Sequence, residues 1–343
     1  MLLAIESSCD ESAIAVFDPQ SGIIGEWVHS QIALHKEYGG VVPDLASREH
    51  LERFGPMLEK IADTVDLTLI KQICVTVGPG LAGCLAMGIA TARALSLVLD
   101  VPVVGVNHLR GHVFSPFISL HKSDPDSFSE SIESVSPHLG LLVSGGNTLL
   151  FSLDDQRRIS ILAQTVDDAA GEALDKGAKL LGMPYPGGPL MEKRASTGNS
   201  KAIKFPTGIA ERGDWRFSFS GLKTSLRYRI EKLTDEALEA EMPDICASYQ
   251  EAVVRQLVRK TSQALKEGQF RSLGLSGGVA NNTALRQAME NLAKKFGVPL
   301  FAADRKHTGD NAAMIAFAAW INQDGLQQNR SASPNFEPSL KLV

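Results

Sequence analysis

A succession of strands, tight turns and glycine-opened helices that occurs twice in the same order constrains this 343-residue chain more than any single residue does. In the first half, Leu2-Leu3-Ala4-Ile5 reads as a strand, Glu6-Ser7-Ser8-Cys9-Asp10-Glu11-Ser12 as a polar turn, and residues 13–17 as the returning strand. A third strand over 23–28 follows. A long amphipathic helix is then expected over 44–63, with Leu45, Leu51, Phe54, Leu58 and Ile61 on its inner stripe and Gly55-Pro56 kinking or splitting it. A strand over 73–77 runs into Gly78-Pro79-Gly80-Leu81-Ala82-Gly83, which opens an Ala-rich helix over 86–99 ahead of a strand over 101–106. The second half repeats this: Leu139-Gly140-Leu141-Leu142-Val143, the turn Ser144-Gly145-Gly146-Asn147-Thr148, and a second hairpin strand over 149–153. Leu273-Gly274-Leu275-Ser276-Gly277-Gly278 then opens a helix over 281–296. From the second glycine of the turn to the valine of the following Val-Pro pair is 21 residues in the first half and 20 in the second (Gly80 to Val101, Gly278 to Val298). Three motifs in one order imply a duplicated α/β architecture of two lobes, with ligands expected in the cleft between them.

The expected domains are a first lobe over 1–120, an exposed Ser- and acid-rich connection over 121–137, and a second lobe over 138–309 with an insertion at about 167–249. A helix at about 310–325 returns to the first lobe, and 328–343 reads as a loose tail. A hydrophobic content of 44% suffices for two cores. A net charge of −5 argues against a generic nucleic-acid coat, so any nucleic-acid face must be local. The insertion offers one in Lys193, Arg194, Lys201, Lys204, Arg212, Arg216, Lys223, Arg227 and Arg229, against Glu211 and Asp214. The basic and aromatic stretch from 215 to 229 is equally an amphipathic helix with a solvated face. Cys9, Cys74, Cys84 and Cys246 form no CxxC pair, Met1 leads into a strand without a basic leader, and no apolar run reaches transmembrane length. A cytoplasmic location is the expectation.

His108 and His112 are four residues apart in His108-Leu109-Arg110-Gly111-His112, just past an apolar strand. On a helix they project within about 40° of each other and ~6 Å apart along the axis, which is metal-ligand spacing. Two surface or capping histidines give the same pattern. A third ligand must come from elsewhere, and the candidate is Asp310 in Thr308-Gly309-Asp310-Asn311, directly before an apolar helix over 312–321. The three glycine turns, at 78–83, 144–146 and 277–278, suit phosphate because unobstructed N–H groups at a helix start favour an anion. None carries a Walker lysine or GxGxxG. Asp10 and Glu11 are either solvated turn carboxylates or proton-transfer groups. His29, His35, His50, His121, His138 and His307 lack histidine partners at ligand spacing and read as structural or exposed.

Taken together, Glu6-Ser7-Ser8-Cys9-Asp10-Glu11, Gly39-Gly40-Val41-Val42-Pro43, His108-Leu109-Arg110-Gly111-His112, Val143-Ser144-Gly145-Gly146-Asn147-Thr148, Asp168-Ala169-Ala170-Gly171-Glu172-Ala173, Phe217-Ser218-Phe219-Ser220-Gly221-Leu222-Lys223-Thr224 and Gly277-Gly278-Val279-Ala280-Asn281-Asn282 resemble the motif set of the tRNA threonylcarbamoyladenosine transferase family, TsaD. The resemblance spans about residues 2–320. It implies the fold of actin, heat-shock chaperones and sugar kinases (ASKHA). It also implies transfer of threonylcarbamoyl from threonylcarbamoyl-AMP to N6 of the adenosine beside the tRNA anticodon, releasing AMP. By resemblance, one divalent metal, Fe2+ or Zn2+, falls to His108, His112 and Asp310. The adenylate and acyl group fall to Leu142, Val143, Ser144, Gly145, Gly146, Asp175, Gly188 and Asn282, and catalytic assistance to Glu11 with Asp10. Implied partners are tRNA, a TsaB-like paralogue, a TsaE-like ATPase and a TsaC-type synthase supplying the adenylate. Asn147 departs from the histidine of many bacterial members.

Three other readings remain at this level. A kinase on the same fold would not need the paired histidines. A metalloprotease needs a glutamate beside the first histidine, where this chain has Leu109 and Arg110. A nucleotide-switched scaffold would show no adenylate-dependent transfer.

Overall fold

The computed structural model describes residues 1–209, 211, 213–327 and 334–343, with Asp324 described by its backbone alone. In chain order the elements are β1 (Leu2–Glu6), β2 (Glu11–Asp18), β3 (Gly22–Ser30), α1 (Ile32–Lys36), α2 (Pro43–Ala62), β4 (Gln72–Gly78), α3 (Ala82–Leu99), β5 (Val103–Asn107) and α4 (His108–Phe114). There follow α5 (Ile118–Ser123), α6 (Phe128–Ser134), β6 (His138–Val143), β7 (Thr148–Leu153), β8 (Ile159–Gln164), α7 (Ala170–Leu180), α8 (Gly187–Ala195) and α9 (Ser220–Ile230). Last come α10 (Asp235–Glu267), β9 (Ser272–Ser276), α11 (Thr283–Phe296), β10 (Leu300–Ala302) and α12 (Ala312–Ile321). They form two compact units, one of residues 1–131 and 303–343 and the other of 132–302.

Each unit is built on a five-stranded sheet, in the order β3-β2-β1-β4-β5 in the first and β8-β7-β6-β9-β10 in the second. Within each, the hairpin strands pair antiparallel and the last two join in parallel, so the duplication read from the sequence is a duplication of topology. Even the irregularities match: the register of the second hairpin strand shifts at Val16/Phe17 and again at Leu150/Phe151. The central strands are buried on both faces, which is why they read as continuous apolar runs rather than alternating ones.

In the first unit, Leu3, Ile5, Ile14, Val16, Ile73 and Val75 pack with Phe54, Met57 and Ile61 of α2 and Ile89 and Ala92 of α3. The other side of the strands is covered by α12, apolar all round and buried at every position but Trp320, as such a helix must be. In the second unit, Leu139, Leu141, Leu150, Leu273 and Leu275 share a core with α7 to α11, including Tyr249, whose hydroxyl donates to the Ala173 carbonyl at 2.9 Å.

Several expectations are corrected here. α2 runs unbroken through Pro56, and the expected stripe holds in part: Phe54 and Ile61 are buried and Leu58 packs on the core, but Leu51 is 67% exposed, and Ala46, His50 and Met57 also face inward. Gly55 and Pro56 lie on the exposed side, where the carbonyl left without an N–H partner meets water. α3 is an 18-residue helix of mean hydropathy 1.7, long and apolar enough to cross a membrane by length and composition, against the expectation that no run reaches that length. Thr91, Arg93 and Ser96 interrupt it, and Cys84, Leu85, Gly88, Ile89 and Ala92 are buried against the unit. The connection is exposed over much of its length, but Phe128 and Ile132 are buried and anchor it. Phe128 joins Phe17, His121, Phe317 and Trp320 in a cluster with ring centroids 4.8–5.9 Å apart. The tail is not loose over 334–343: Glu337 N donates to Val77 O at 2.7 Å, Asn107 Nδ2 to Lys341 O at 2.7 Å, and Leu342 is buried. The rest of the expected tail, 328–333, lies outside the described residues, as does Arg212. Residue 249, the expected end of the insertion, lies inside the 33-residue helix α10.

Candidate metal centre and nucleotide-binding turns

The parallel strands β1, β4 and β5 end at one edge of the first sheet, and the polar residues gather there, as ligand sites do in α/β folds. Asn107, the last residue of β5, turns the chain into α4 by accepting from Leu109 N at 2.8 Å. His108 and His112 thereby fall on one side of α4, both buried, their rings perpendicular with centroids 4.8 Å apart. The third group arrives on the segment before α12, where Asn311 caps the helix by accepting from Met314 N at 2.8 Å and leaves Asp310 just outside it. Asp310 Oδ1 lies 3.4 Å from His108 Nε2 and 3.2 Å from His112 Nε2. All three candidate ligand atoms lie within 4.8 Å of one another.

The electrostatics show a demand for positive charge. Burial opposes a charge on His108, but the Asp310 and Glu6 carboxylates beside it raise its pKa well above the ordinary value. Loss of water opposes ionisation of Asp310, yet His108 and then His112 hold it far below the usual carboxylate range. His112 is pushed down by burial, with the neighbouring His108 charge adding to the effect. Two imidazole nitrogens and one carboxylate oxygen converging on a water-poor point are a donor set that suits zinc or ferrous iron, with positions left open for other ligands.

Asp10, in the turn between β1 and β2, and Glu11, the first residue of β2, belong to the same unit. Asp10 is buried, and its carbonyl accepts from Gln31 N at 2.9 Å. Glu11 is bonded by Ser30 Oγ at 3.2 Å, and its pKa is pushed up to about 9, by burial first and then by repulsion from Asp310 and Asp10. The turn is braced by His50 of α2, a residue that reads as merely structural in the sequence. It reaches Ser12 Oγ with Nδ1 at 2.7 Å and the Cys9 carbonyl with Nε2 at 2.9 Å. Glu6 likewise reads as one acceptor among several in a polar turn, yet it lies 3.1 Å from His108 Nδ1. A signal exists in the sequence, since an acidic residue directly after an apolar core strand is rarely free of a partner.

The glycine turns of the two units differ. That at 78–83 is closed by its own chain: Gly80 N donates to Pro338 O at 3.1 Å and Leu81 N to Ser8 O at 2.8 Å, and a Cβ on Gly78 would collide with the Glu337 carbonyl oxygen. Two of its N–H groups, those of Gly80 and Leu81, are thus taken up by the chain itself. In the second unit a Cβ on Gly145, Gly146 or Gly278 would meet nothing within 4 Å, so these two turns remain open. They lie against each other, a Cβ on Gly277 being blocked by the Val143 carbonyl oxygen. The side chains of Leu142 and Val143 are buried in the sheet, leaving their backbone as the only surface for a ligand. Ser144 N is already engaged, donating to Asn147 O at 2.8 Å. Asp175 of α7 accepts from Gly187 N at 2.9 Å and Gly188 N at 2.8 Å, and burial raises its pKa. Asn282 caps α11 by accepting from Leu285 N at 3.0 Å and donates to Gln250 Oε1 at 2.7 Å, a supporting contact that no sequence pattern announces.

The basic stretch is less bare than its sequence suggests. Arg216 pairs with Asp214, Arg227 with Glu231, Arg194 with Glu239 and Arg229 with Glu241, three of these acids lying beyond the stretch itself.

Fold and site together define an α/β protein of the actin and sugar-kinase class. Among solved structures, that of T. kodakarensis HypF superposes with a TM-score of 0.63 at 16% identity, over 94% of this chain and 48% of that one. Component A of the Acidaminococcus fermentans (R)-2-hydroxyglutaryl-CoA dehydratase does so with a TM-score of 0.51 at 14% identity, over 92% and 96%. Likeness at that identity concerns the fold alone. Within the class, this chain belongs to the TsaD family of tRNA N6-adenosine threonylcarbamoyltransferases, whose family model matches residues 22–317. Relatives bearing that name include those of Trichlorobacter lovleyi, 43% identical over 97% of this chain and 96% of its own, and Geotalea uraniireducens, 45% identical over 92% and 89%.

Proposed function

We propose that the protein transfers the threonylcarbamoyl group of threonylcarbamoyl-AMP to N6 of the adenosine beside the anticodon of tRNAs that read codons beginning with A, releasing AMP. The observation that carries this reading is the family match over residues 22–317, which takes in Asp310, His108, His112 and both open glycine turns.

In that reaction the adenosine N6 attacks the carbamoyl carbon, the bond from that carbon to the phosphate oxygen breaks, and AMP leaves with the electron pair. The anhydride is already activated, so orientation and charge stabilisation do most of the catalysis. The second unit holds the adenylate: backbone N–H groups around Gly145, Gly146 and Gly278 face the phosphate, and Asp175, Gly188 and Asn282 fix the nucleoside and acyl group. The first unit supplies His108, His112 and Asp310 as ligands of a divalent ion, zinc or ferrous iron, which when bound supplies Lewis acidity to substrate oxygens. Glu11, helped by Asp10, takes the proton from N6. With its pKa pushed up to about 9, Glu11 would hold a proton at neutral pH in the metal-free protein; a cation near Asp310 would offset part of the repulsion that raises it and favour the carboxylate able to accept the N6 proton.

The partners in this reading are tRNA, a TsaB-like paralogue, a TsaE-like ATPase and a TsaC-type synthase, all in the cytoplasm. A partner face on α2 and α3 is supported by the exposure of Leu51, Leu97 and Val98, at 67%, 86% and 80%. Mass spectrometry of tRNA nucleosides, after incubation with threonylcarbamoyl-AMP, metal and the partner proteins, tests the proposal. The expected product is threonylcarbamoyladenosine. Adenylate hydrolysis without modified nucleoside, or phosphate transfer from ATP to a small molecule instead, would overturn it.

A further inference from the structure

Assigning the metal to His108, His112 and Asp310 leaves one buried charged residue beside them without a role. Glu6, the last residue of β1, is wholly shielded from water. A carboxylate so placed must be met by donors, and three converge on it. Ser8 N–H reaches Oε1 at 2.5 Å, the Thr76 hydroxyl reaches Oε2 at 2.5 Å, and His108 Nδ1 stands 3.1 Å from Oε2.

We infer that Glu6 is a positioning residue for the metal centre, fixing His108 with its proton on Nδ1 so that the Nε2 lone pair points at the metal. The Glu6 carboxylate can only accept, so the imidazole nitrogen 3.1 Å from it carries the hydrogen, with Ser8 Oγ, 3.2 Å from the same nitrogen, as a second acceptor. That leaves Nε2, the nitrogen 3.4 Å from Asp310 Oδ1, as the only ring position able to coordinate. Histidine ligands commonly donate their second N–H to a carboxylate, which sets tautomer and ring angle and raises the basicity of the ligating nitrogen. Here the device serves one ligand of two, because His112 Nδ1 is buried with no hydrogen-bond partner among the described residues.

A purely structural role for Glu6 makes a different prediction. β1 and β4 are already joined in parallel from Leu2↔Gln72 to Ile5↔Val75, and the contact from Glu6 to Thr76 extends that tie. On that view Glu6→Gln and Thr76→Val lower the melting temperature of the metal-free protein and alter nothing specific at His108.

The inference rests on the ligand assignment made under the proposed function, and the test separates the two. Zinc is the probe, added to the full-length protein and read by chelator competition and by histidine nitrogen NMR of the zinc-loaded form. The expected results are an Nδ1–H, Nε2-bound His108 in the wild type, and a zinc Kd raised about 10- to 100-fold in Glu6→Gln and Glu6→Ala. Thr76→Val should keep a Kd near that of the wild type. An Nε2–H His108 in the zinc-loaded wild type, or a Kd in Glu6→Gln within twofold of wild type, overturns the inference. So does an equal loss of affinity in Thr76→Val and Glu6→Gln, which would signal strand loosening. If His108→Ala and His112→Ala also bind zinc like the wild type, the ligand assignment itself has failed.

Discussion

Buried polar side chains in this protein are of two kinds, those set singly into the core and those gathered around one point. His138 exemplifies the first: its Nδ1 lies 2.7 Å from Ser272 Oγ, which itself donates to the Val135 carbonyl, so this ring nitrogen is the donor. Burial pushes its pKa down to about 3. The unfolded chain, with an ordinary histidine near 6.5, therefore binds the extra proton first as pH falls. The stability tied to neutral His138 is complete above about 6.5 and is lost progressively as pH drops toward 3, with a slope of at most about 1.4 kcal/mol per pH unit. Urea unfolding between pH 7 and about 4.5 should show a flatter pH dependence for His138→Gln than for the wild type, and parallel curves would contradict this. His108, His112 and Asp310 are of the second kind, with donor atoms converging on one another rather than on saturated partners. Alanine at any of the three should abolish stoichiometric metal by elemental analysis while the protein stays folded by circular dichroism. Full metal in Asp310→Ala would move the third ligand to another carboxylate. The histidine pair is legible in the sequence because its spacing is local. Glu6 is not, because its partner lies 102 residues away.

Between elements, the decisive approach is that of α4 to α12, which brings the two histidines to Asp310. Gly111 makes it possible: a Cβ there would stand 2.9 Å from Met314 Cγ and 3.1 Å from Ile315 Cδ1. Alanine requires the buried Met314 Cγ to give by a few tenths of an ångström, a cost set against about 1 kcal/mol gained in helix propensity over glycine. A β-branched residue cannot be absorbed so easily. Gly111→Val should destabilise the protein by about 1–3 kcal/mol and weaken zinc binding, whereas Gly111→Ala should stay near wild type in both. Denaturant midpoints and zinc titrations check this, and wild-type values in the valine variant would remove Gly111 from the account. α2 teaches the complementary lesson: its period and part of its inner stripe (Phe54, Leu58 and Ile61) are readable, but His50, polar by type, is drawn inward by Ser12 and the Cys9 carbonyl.

Over the whole molecule, a net charge of −5 means that any attraction for tRNA is local. Lys223 is exposed with no ion pair among the described residues, and Arg227 is exposed with a weak ion-pair partner in Glu231 and the Tyr228 ring 5.7 Å from its guanidinium, whereas Arg229 is engaged by Glu241. Charge reversal of Lys223 and Arg227 should weaken tRNA binding and leave adenylate binding unchanged. The slope of log affinity against log salt should fall by about 1 for each phosphate that is no longer neutralised. An unaltered salt slope would place the tRNA surface elsewhere. By itself the sequence determined the duplicated order of elements, the α/β class and the histidine pair, because strand and helix periods, glycine turns and i,i+4 spacing are properties of near neighbours; it offered Asp310 as a candidate only, and the fold brought it to the pair. Tertiary structure alone decided which glycine turns stay open, since the carboxy-terminal segment fills the one at 78–83, and which basic residues are neutralised, since acids of α10 reach back to α9 and to Arg194. It alone set Glu6 against His108, for burial and Coulomb interaction depend on distance through space, and residues about a hundred apart in the chain carry no local sign that they will meet.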